Sequence, residues 1–335
     1  MTACLVSICV PTFNGAPWLA ACLESALSQT LSDFEVLVVD DASDDGTVDV
    51  AMGFAARDSR VRVERNPERL GLAANWNRCL ELANGTWIKF LFQDDELATT
   101  CLDRMITVGE EAEAEIVVCD RHVDVSEGTS DRVREYFASL PRMDDLFKRP
   151  GDEAGSWDVV LPEEVCQALV AHPGVNFFGE PAAVLLNRSV FEHADVFNTE
   201  MIQLCDLEFT ARVASNVGFA RVREELATFR VHERSTSAAN AGAQEFRKDV
   251  LDTLVLFHEY AFVRDFAKLR KAAKEAQPSV SFSVLAAREL QRAQRDCRES
   301  DDAEMRQALD DVLSAHPNLS RPLWQLWHRV RKQLR

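Results

Sequence analysis

Two periods of apolar spacing take turns along the first third of the chain. Strand-like runs near 4–10, 34–40, 61–65, 87–92 and 115–119 are separated by stretches in which apolar positions recur every three or four residues. Short apolar runs bounded by turn residues read as strands buried on both faces, and the intervening spacing reads as helix. The first helical stretch carries Leu19, Cys22, Leu23, Ala26 and Leu27 on one face, with Pro17 suited to its first turn. Strand and helix therefore alternate, which predicts an α/β fold with a mostly parallel, Rossmann-like sheet flanked by helices.

The pattern loosens from Arg121 to Gly155, where charges, glycines and prolines mix without period. That stretch reads as an irregular excursion, with a short helix around Asp144 to Lys148. A helix near Pro162 to Ala171, a strand near Ala182 to Leu186 and a helix near Leu204 to Ser215 follow. A strand pair, Phe219 to Val222 and Leu226 to Val231, then closes the sheet. After Ala243 the pattern is helical, with Leu251, Leu254, Val255, His258 and Phe262 on one stripe and further helices near 280–297 and 303–313. The expected division is a first unit, 1–240, and a helical extension, 241–335.

Two of the strand runs drive into paired carboxylates. Val36 to Val39 lead into Asp40 and Asp41, and Ile88 to Phe92 lead into Gln93, Asp94 and Asp95. In open α/β sheets ligands bind beyond the carboxyl ends of the strands. Two acidic pairs on one rim repel unless a cation or a donor-rich ligand sits between them, which points to a divalent metal with a phosphorylated ligand. The first strand ends in Pro11, Thr12, Phe13, Asn14 and Gly15, a polar turn whose amides could receive a base or a phosphate.

Charge and composition narrow the classes. A net charge of −18 lacks the basic surface that binding to a nucleic-acid backbone requires. The nine cysteines have no Cys-x-x-Cys pair and no regular spacing, so they read as buried thiols in a reducing, cytoplasmic compartment. Met1 to Val10 lacks a basic leader and runs into Pro11, so it reads as a strand rather than a signal peptide. The segment 319–335 reverses the charge of the chain, with five Lys or Arg, no acid, and Trp324 and Trp327. Two readings stand: contact with a membrane surface, which would make the protein peripheral at the inner face of the membrane, or docking on the acidic body of the same chain.

Taken together these motifs resemble the inverting family 2 glycosyltransferases of the GT-A fold. Val6 to Gly15 resembles the first-strand signature of that family, and Val38 to Thr47 its second. The resemblance implies a nucleotide-sugar half, 1–120, and an acceptor half, 121–240. It implies that Pro11, Thr12 and Asn14 line a nucleotide pocket, that Asp41 accepts from the nucleobase, and that Asn75 and Arg78 lie beside the nucleotide or its phosphates. The metal motif of the family is Asp-x-Asp; here Phe92 takes the first position, leaving Asp95 for Mg2+ or Mn2+ and Asp94 beside the ribose or sharing the ion. In Phe229 to Ser237 the resemblance places His232 and Arg230 at the metal or the diphosphate.

Gly179 to Ala182 resembles an acceptor-side turn, in which Glu180 binds a sugar hydroxyl or simply precedes Pro181. The family's catalytic base is the Asp of a Glu-Asp pair opening a helix. Here Cys205 stands for the Glu and Asp206 keeps its place, as base or as a carboxylate favoured by the helix dipole. The implied partners are a nucleotide-diphosphate sugar and a saccharide or lipid-linked saccharide acceptor, in surface polysaccharide or glycolipid synthesis. A noncatalytic saccharide- or nucleotide-binding relative is the alternative, because Phe92 and Cys205 both replace acids. The missing glycine-rich turn after the first strand excludes a nicotinamide dehydrogenase.

Overall fold

The computed structural model describes residues 4–126, 129, 131–147, 156–232, 246–300 and 302–319. β1 (Val6–Thr12), α1 (Ala16–Leu27), β2 (Phe34–Asp40), α2 (Thr47–Ala55), β3 (Val61–Arg65), α3 (Leu72–Leu82) and β4 (Trp87–Phe90) follow the expected alternation. The four strands lie in the order β3-β2-β1-β4, all parallel. Their side chains divide between two cores. Ile8, Val10, Val36 and Val38 pack with Leu19, Leu23 and Phe54, while Cys9, Leu37 and Val39 pack on the other face with Trp76 and Leu80. Burial on both faces is why these runs show no alternation, and each such side chain stabilises the fold by about 1.5–3 kcal/mol.

The second half adds β5 (Glu96–Leu97), α4 (Cys101–Glu111), β6 (Ile116–Val125), α5 (Asp131–Ser139), α6 (Met143–Leu146), β7 (Trp157–Val160), α7 (Pro162–Ala171), β8 (Val184–Asn187), α8 (Cys205–Val217) and β9 (Phe219–Val231). β8 lies antiparallel between β4 and β6, β9 runs parallel to β6, and β5 and β7 pair antiparallel with β9. By ladder length the sheet is mostly parallel, the α/β architecture expected.

Three expectations need correction here. β6 continues through Arg121 to Val125, into the stretch read as irregular, and α5 follows it, whereas α6 overlaps the short helix expected around Asp144 to Lys148. The strand pair before and after residue 225 is one strand, because both parts pair with β6 across a register shift: Cys119 faces Val222 and Asp120 faces Glu225. β7 was not anticipated at all; its four residues carry too short a pattern to stand out.

Gly218 closes α8 at φ 75°, and a Cβ there would come within 2.4 Å of the Val160 carbonyl oxygen. A side chain is therefore excluded from the turn that feeds α8 directly into β9. The extension forms helices Phe246–Phe262, Ala267–Glu275, Phe282–Glu299 and Ala303–Ala315. Leu254, Val255, Tyr260 and Leu290 join the same core as α3, α7 and α8, so the extension packs on one face of the sheet. The cysteines are unpaired, and all but Cys4 are buried. Apart from Leu319, the basic tail 319–335 lies outside the described residues. No helix among the described residues is long and apolar enough to cross a membrane.

Candidate active site

The turn after β1 is tied down from several sides. Phe13 N donates to Gln93 Oε1 at 2.9 Å, Asn14 N to Ser43 Oγ at 2.9 Å, Gly15 N to Thr47 Oγ1 at 2.9 Å and Ala16 N to Asp45 Oδ2 at 3.3 Å. Gln93 Nε2 returns a bond to Phe13 O, so its amide clips the turn to the loop after β4. A Cβ on Gly15 would fall 2.1 Å from Gln93 Oε1, so a side chain there would have to displace the Gln93 amide from this clip. These amides were expected to receive a base or phosphate; each already donates within the protein, and a ligand would have to displace a side chain. Asn14 sits at φ 50°, and its Oδ1 accepts from Asp44 N.

Asp40 and Asp41 are both buried in this network. Asp40 accepts from Thr12 Oγ1, Ser43 N and Ser43 Oγ. Asp41 Oδ1 accepts from Asn66 Nδ2 at 3.0 Å and Leu70 N at 2.7 Å, and its Oδ2 from Gly71 N at 2.9 Å. Asn75 is buried beside them, bonding Asn66 and the Val39 carbonyl. Arg78 lies apart, half exposed and paired with Glu81 at 2.7 Å. The structure thus gathers Pro11, Thr12, Asn14, Asp41 and Asn75 at one strand-end network and leaves Arg78 at its outer edge.

At the end of β4 the situation is reversed. Asp95 is fully buried; Oδ1 accepts from Arg230 N at 3.0 Å, but Oδ2 has no hydrogen-bond partner among the described residues. Burial, and next the charge of Asp94, push its carboxyl well above the usual range. Asp94 Oδ2 lies 3.1 Å from His232 Nε2. Trp18, which the sequence reading passed over, stacks on the His232 ring at 4.0 Å between centroids and 14° between planes. The guanidinium of Arg230 is taken by Glu96. Phe92, at the position of the missing acid, stacks on Trp76 and packs against the core.

Asp206 opens α8 and is half-buried. Its Oδ2 accepts from Asn176 Nδ2 at 2.9 Å, and its Oδ1 from Leu207 N at 2.7 Å. Burial pushes this carboxyl up to about 7, opposed by the Leu207 amide and reinforced by the charge of Glu180. Glu180 also raises Asp95, so one carboxylate acts on both ends of the site. Glu180 is itself paired with Arg121 of β6. Asn176 donates also to the Gly179 carbonyl, linking the acceptor-side turn to Asp206. Glu208 points elsewhere, buried against Arg212 at 2.8 Å. Neither Arg121 nor Asn176 was found from sequence, since each lies where no strand or motif was expected.

The amides leading into α8 are held from the extension. Ile202 N, Gln203 N and Leu204 N all donate to the Asp252 carboxylate, which sits in helix Phe246–Phe262. These are amides of the segment that leads into the helix, satisfied by a residue outside the expected first unit.

Comparison with known proteins places this fold and rim among the glycosyl transferases. The family model described as Glycosyl transferase family 2 matches residues 7–158. An uncharacterized protein of Mycobacterium tuberculosis is 31% identical over 248 residues, covering 74% of this chain and 73% of that protein. The PGL/p-HBAD biosynthesis glycosyltransferase of Mycobacterium bovis is 39% identical over 123 residues, which cover 36% of this chain and 48% of that enzyme. The structure of S. aureus TarS 1-349 in complex with UDP-GlcNAc aligns at a TM-score of 0.57 with 16% identity, covering 93% of this chain and 80% of that one. The mannosyltransferase PcManGT from Pyrobaculum calidifontis, in complex with GDP-Man and Mn2+, aligns at 0.50 with 15% identity, covering 96% and 88%. The chain belongs to glycosyl transferase family 2 and has the GT-A fold.

Proposed function

We propose that this chain is an inverting glycosyltransferase that moves a sugar from a nucleotide-diphosphate donor to a hydroxyl acceptor with the help of Mg2+ or Mn2+. One observation carries the reading: two carboxyls of raised pKa on one rim, Asp95 with a partnerless oxygen and Asp206 near 7, both acted on by Glu180. The donor set at Asp95 fits a hard divalent cation, because a buried, repelled carboxylate oxygen is otherwise costly to keep. Asp95, Asp94 and His232 would hold the ion, whose chemistry there is Lewis-acid relief of charge on the diphosphate.

Asp206 takes the acceptor proton. A base titrating near the working pH is well matched to that task, and a single inverting displacement needs only one. Asn176 orients its Oδ2, and Glu180 with Arg121 lines the acceptor side. Pro11, Thr12, Asn14, Asp41, Asn75, Arg78 and Asp94 form the nucleotide side. With three donors on its two oxygens, Asp41 keeps one acceptor position on Oδ2 for a nucleobase N–H. His232, held in plane by Trp18, and Arg230 face the diphosphate.

The division at 240 and 241 is one of roles. Residues 1–240 carry the chemistry, and the extension braces α8 through Asp252. The relative named for PGL/p-HBAD biosynthesis supports a glycolipid or surface polysaccharide acceptor, reached from the cytoplasmic face of the membrane, with the basic tail as the membrane contact. The test is a thermal-shift screen of nucleotide sugars with and without Mn2+, since a ligand that binds only the native state raises its stability. A donor that stabilises wild type more in Mn2+, with the Mn2+ increment lost in Asp95→Asn, supports the reading. Equal stabilisation without Mn2+, or none by any donor, overturns it.

A further inference from the structure

Away from this rim, the extension gathers a second set of metal-type side chains. His258, Glu259 and His316 each offer a ligand atom, and these atoms lie within 4.8 Å of one another. The three residues are 6%, 9% and 9% exposed. His258 Nδ1 lies 3.0 Å from Glu259 Oε1, and the two imidazole centroids are 4.3 Å apart. Glu200, from the loop ahead of α8, lies 2.7 Å from His316 Nε2.

Hydrogen bonding within the cluster leaves one atom unexplained. His258 Nε2 is buried and has no partner among the described residues, whereas buried polar atoms ordinarily find one. Two imidazoles also stand together in the interior with a carboxylate on each. Neutral imidazoles and carboxylates are the donor set of zinc, and an outer carboxylate that fixes the second ring nitrogen is the usual companion of a ligating histidine. Glu200 is placed for that part on His316.

We infer that His258, Glu259 and His316, supported by Glu200, form a structural site for Zn2+ or a similar transition-metal ion. Tetrahedral zinc sets its ligand atoms about 3.3 Å apart, so closure around the ion draws the side chains together by roughly an ångström. The site would pin three pieces of chain: helix Phe246–Phe262, the segment after helix Ala303–Ala315, and the loop of Glu200. The same helix carries Asp252, which holds the amides leading into α8, so the ion would stiffen the support of Asp206 from behind. This is distinct from the ion at Asp95, and a set with two imidazoles favours zinc more than does the rim, with two carboxylates and one imidazole.

The probe is ZnCl2 alone, titrated into chelator-treated full-length protein by calorimetry and by thermal melt. Asp95→Asn protein is run in parallel so that the strand-end carboxylates do not contribute. One bound equivalent and a melting shift of several degrees are expected in Asp95→Asn, both lost when His258→Gln or His316→Gln is added. Co2+ in place of Zn2+ should give visible absorption bands of a four-coordinate site, absent from the same variants. Circular dichroism establishes that each variant folds, and Glu259→Gln replaces any that does not. Undiminished Zn2+ uptake in the folded histidine variants overturns the proposal, as does no uptake by Asp95→Asn at micromolar Zn2+.

Discussion

The two strand-end aspartate pairs look alike in sequence and do opposite things in the structure. Asp40 and Asp41 have their oxygens engaged by donors from Thr12, Ser43, Asn66, Leu70 and Gly71. They hold the loops after β1, β2 and β3 together. Asp94 and Asp95 crowd each other, and Asp95 keeps an oxygen with no donor among the described residues. The first pair organises the rim, whereas the second brings two charges together with only His232 and the Arg230 amide as donors among the described residues. The difference lies in how many backbone amides converge on each carboxylate, which depends on loops contributed by distant parts of the chain.

The sharpest way to break this comparison is to remove one carboxylate charge from each region and read activity and stability together. Asp95→Asn should lower sugar transfer by at least about a hundredfold, the scale on which electrostatic stabilisers of a leaving group matter. Its melting temperature should match or exceed that of wild type at pH 8, because the buried, repelled charge is gone. The sign follows from the raised pKa of Asp95: neutrality favours folding, so ionisation withdraws stability as pH rises through the folded value. Thermal melts at pH 5 and pH 8 check this, with any gain confined to the higher pH.

Asp41→Asn should do the reverse. An amide nitrogen cannot accept from Gly71 N, so a buried donor loses its partner and stability falls by about 2 kcal/mol, measured by urea unfolding. If Asp41→Asn proved as stable as wild type, the closed region would not be held as described.

The pH profile of transfer comes next in size. Asp206 must be unprotonated to act as base, so kcat/KM should rise with pH up to about 7 and level off above it. Asp252→Asn tests the support behind that base. It leaves one of the amides of Ile202, Gln203 and Leu204 without a full acceptor and should cost about 1–2 kcal/mol, with a fall in kcat at nearly unchanged nucleotide affinity. The smallest change belongs to Arg78→Ala, whose exposed pair with Glu81 contributes under about 0.5 kcal/mol. Calorimetry should nevertheless show several-fold weaker nucleotide binding.

Much of this was legible in the chain. The apolar runs at Val36 to Val39 and Ile88 to Phe92 located buried strands and, with them, the rim. What escaped detection has physical reasons. In β6, Asp120, Arg121, His122 and Asp124 sit within a strand whose second half pairs with β9 at a half-exposed position, so no apolar run announces it. The role of Gln93 as a clip needs the turn at Phe13, 80 residues away in sequence. Asp252 holds the amides that lead into a helix beginning 47 residues before it, and only tertiary packing shows that. Trp18 reads as an ordinary helix residue until the ring of His232 is seen against it.

Asp206 as the base of a metal-assisted sugar transfer at this rim is the role on which the proposed function turns. It is tested most directly by turnover of a nucleotide-diphosphate sugar in Mn2+, with wild type and Asp206→Asn compared and nucleoside-diphosphate affinity measured alongside. Wild type should turn over, the variant should fall by at least about a hundredfold, and the Kd for the nucleotide should be unchanged. Wild-type turnover by Asp206→Asn, or an inert wild type across a full panel of donors and acceptors, would contradict it.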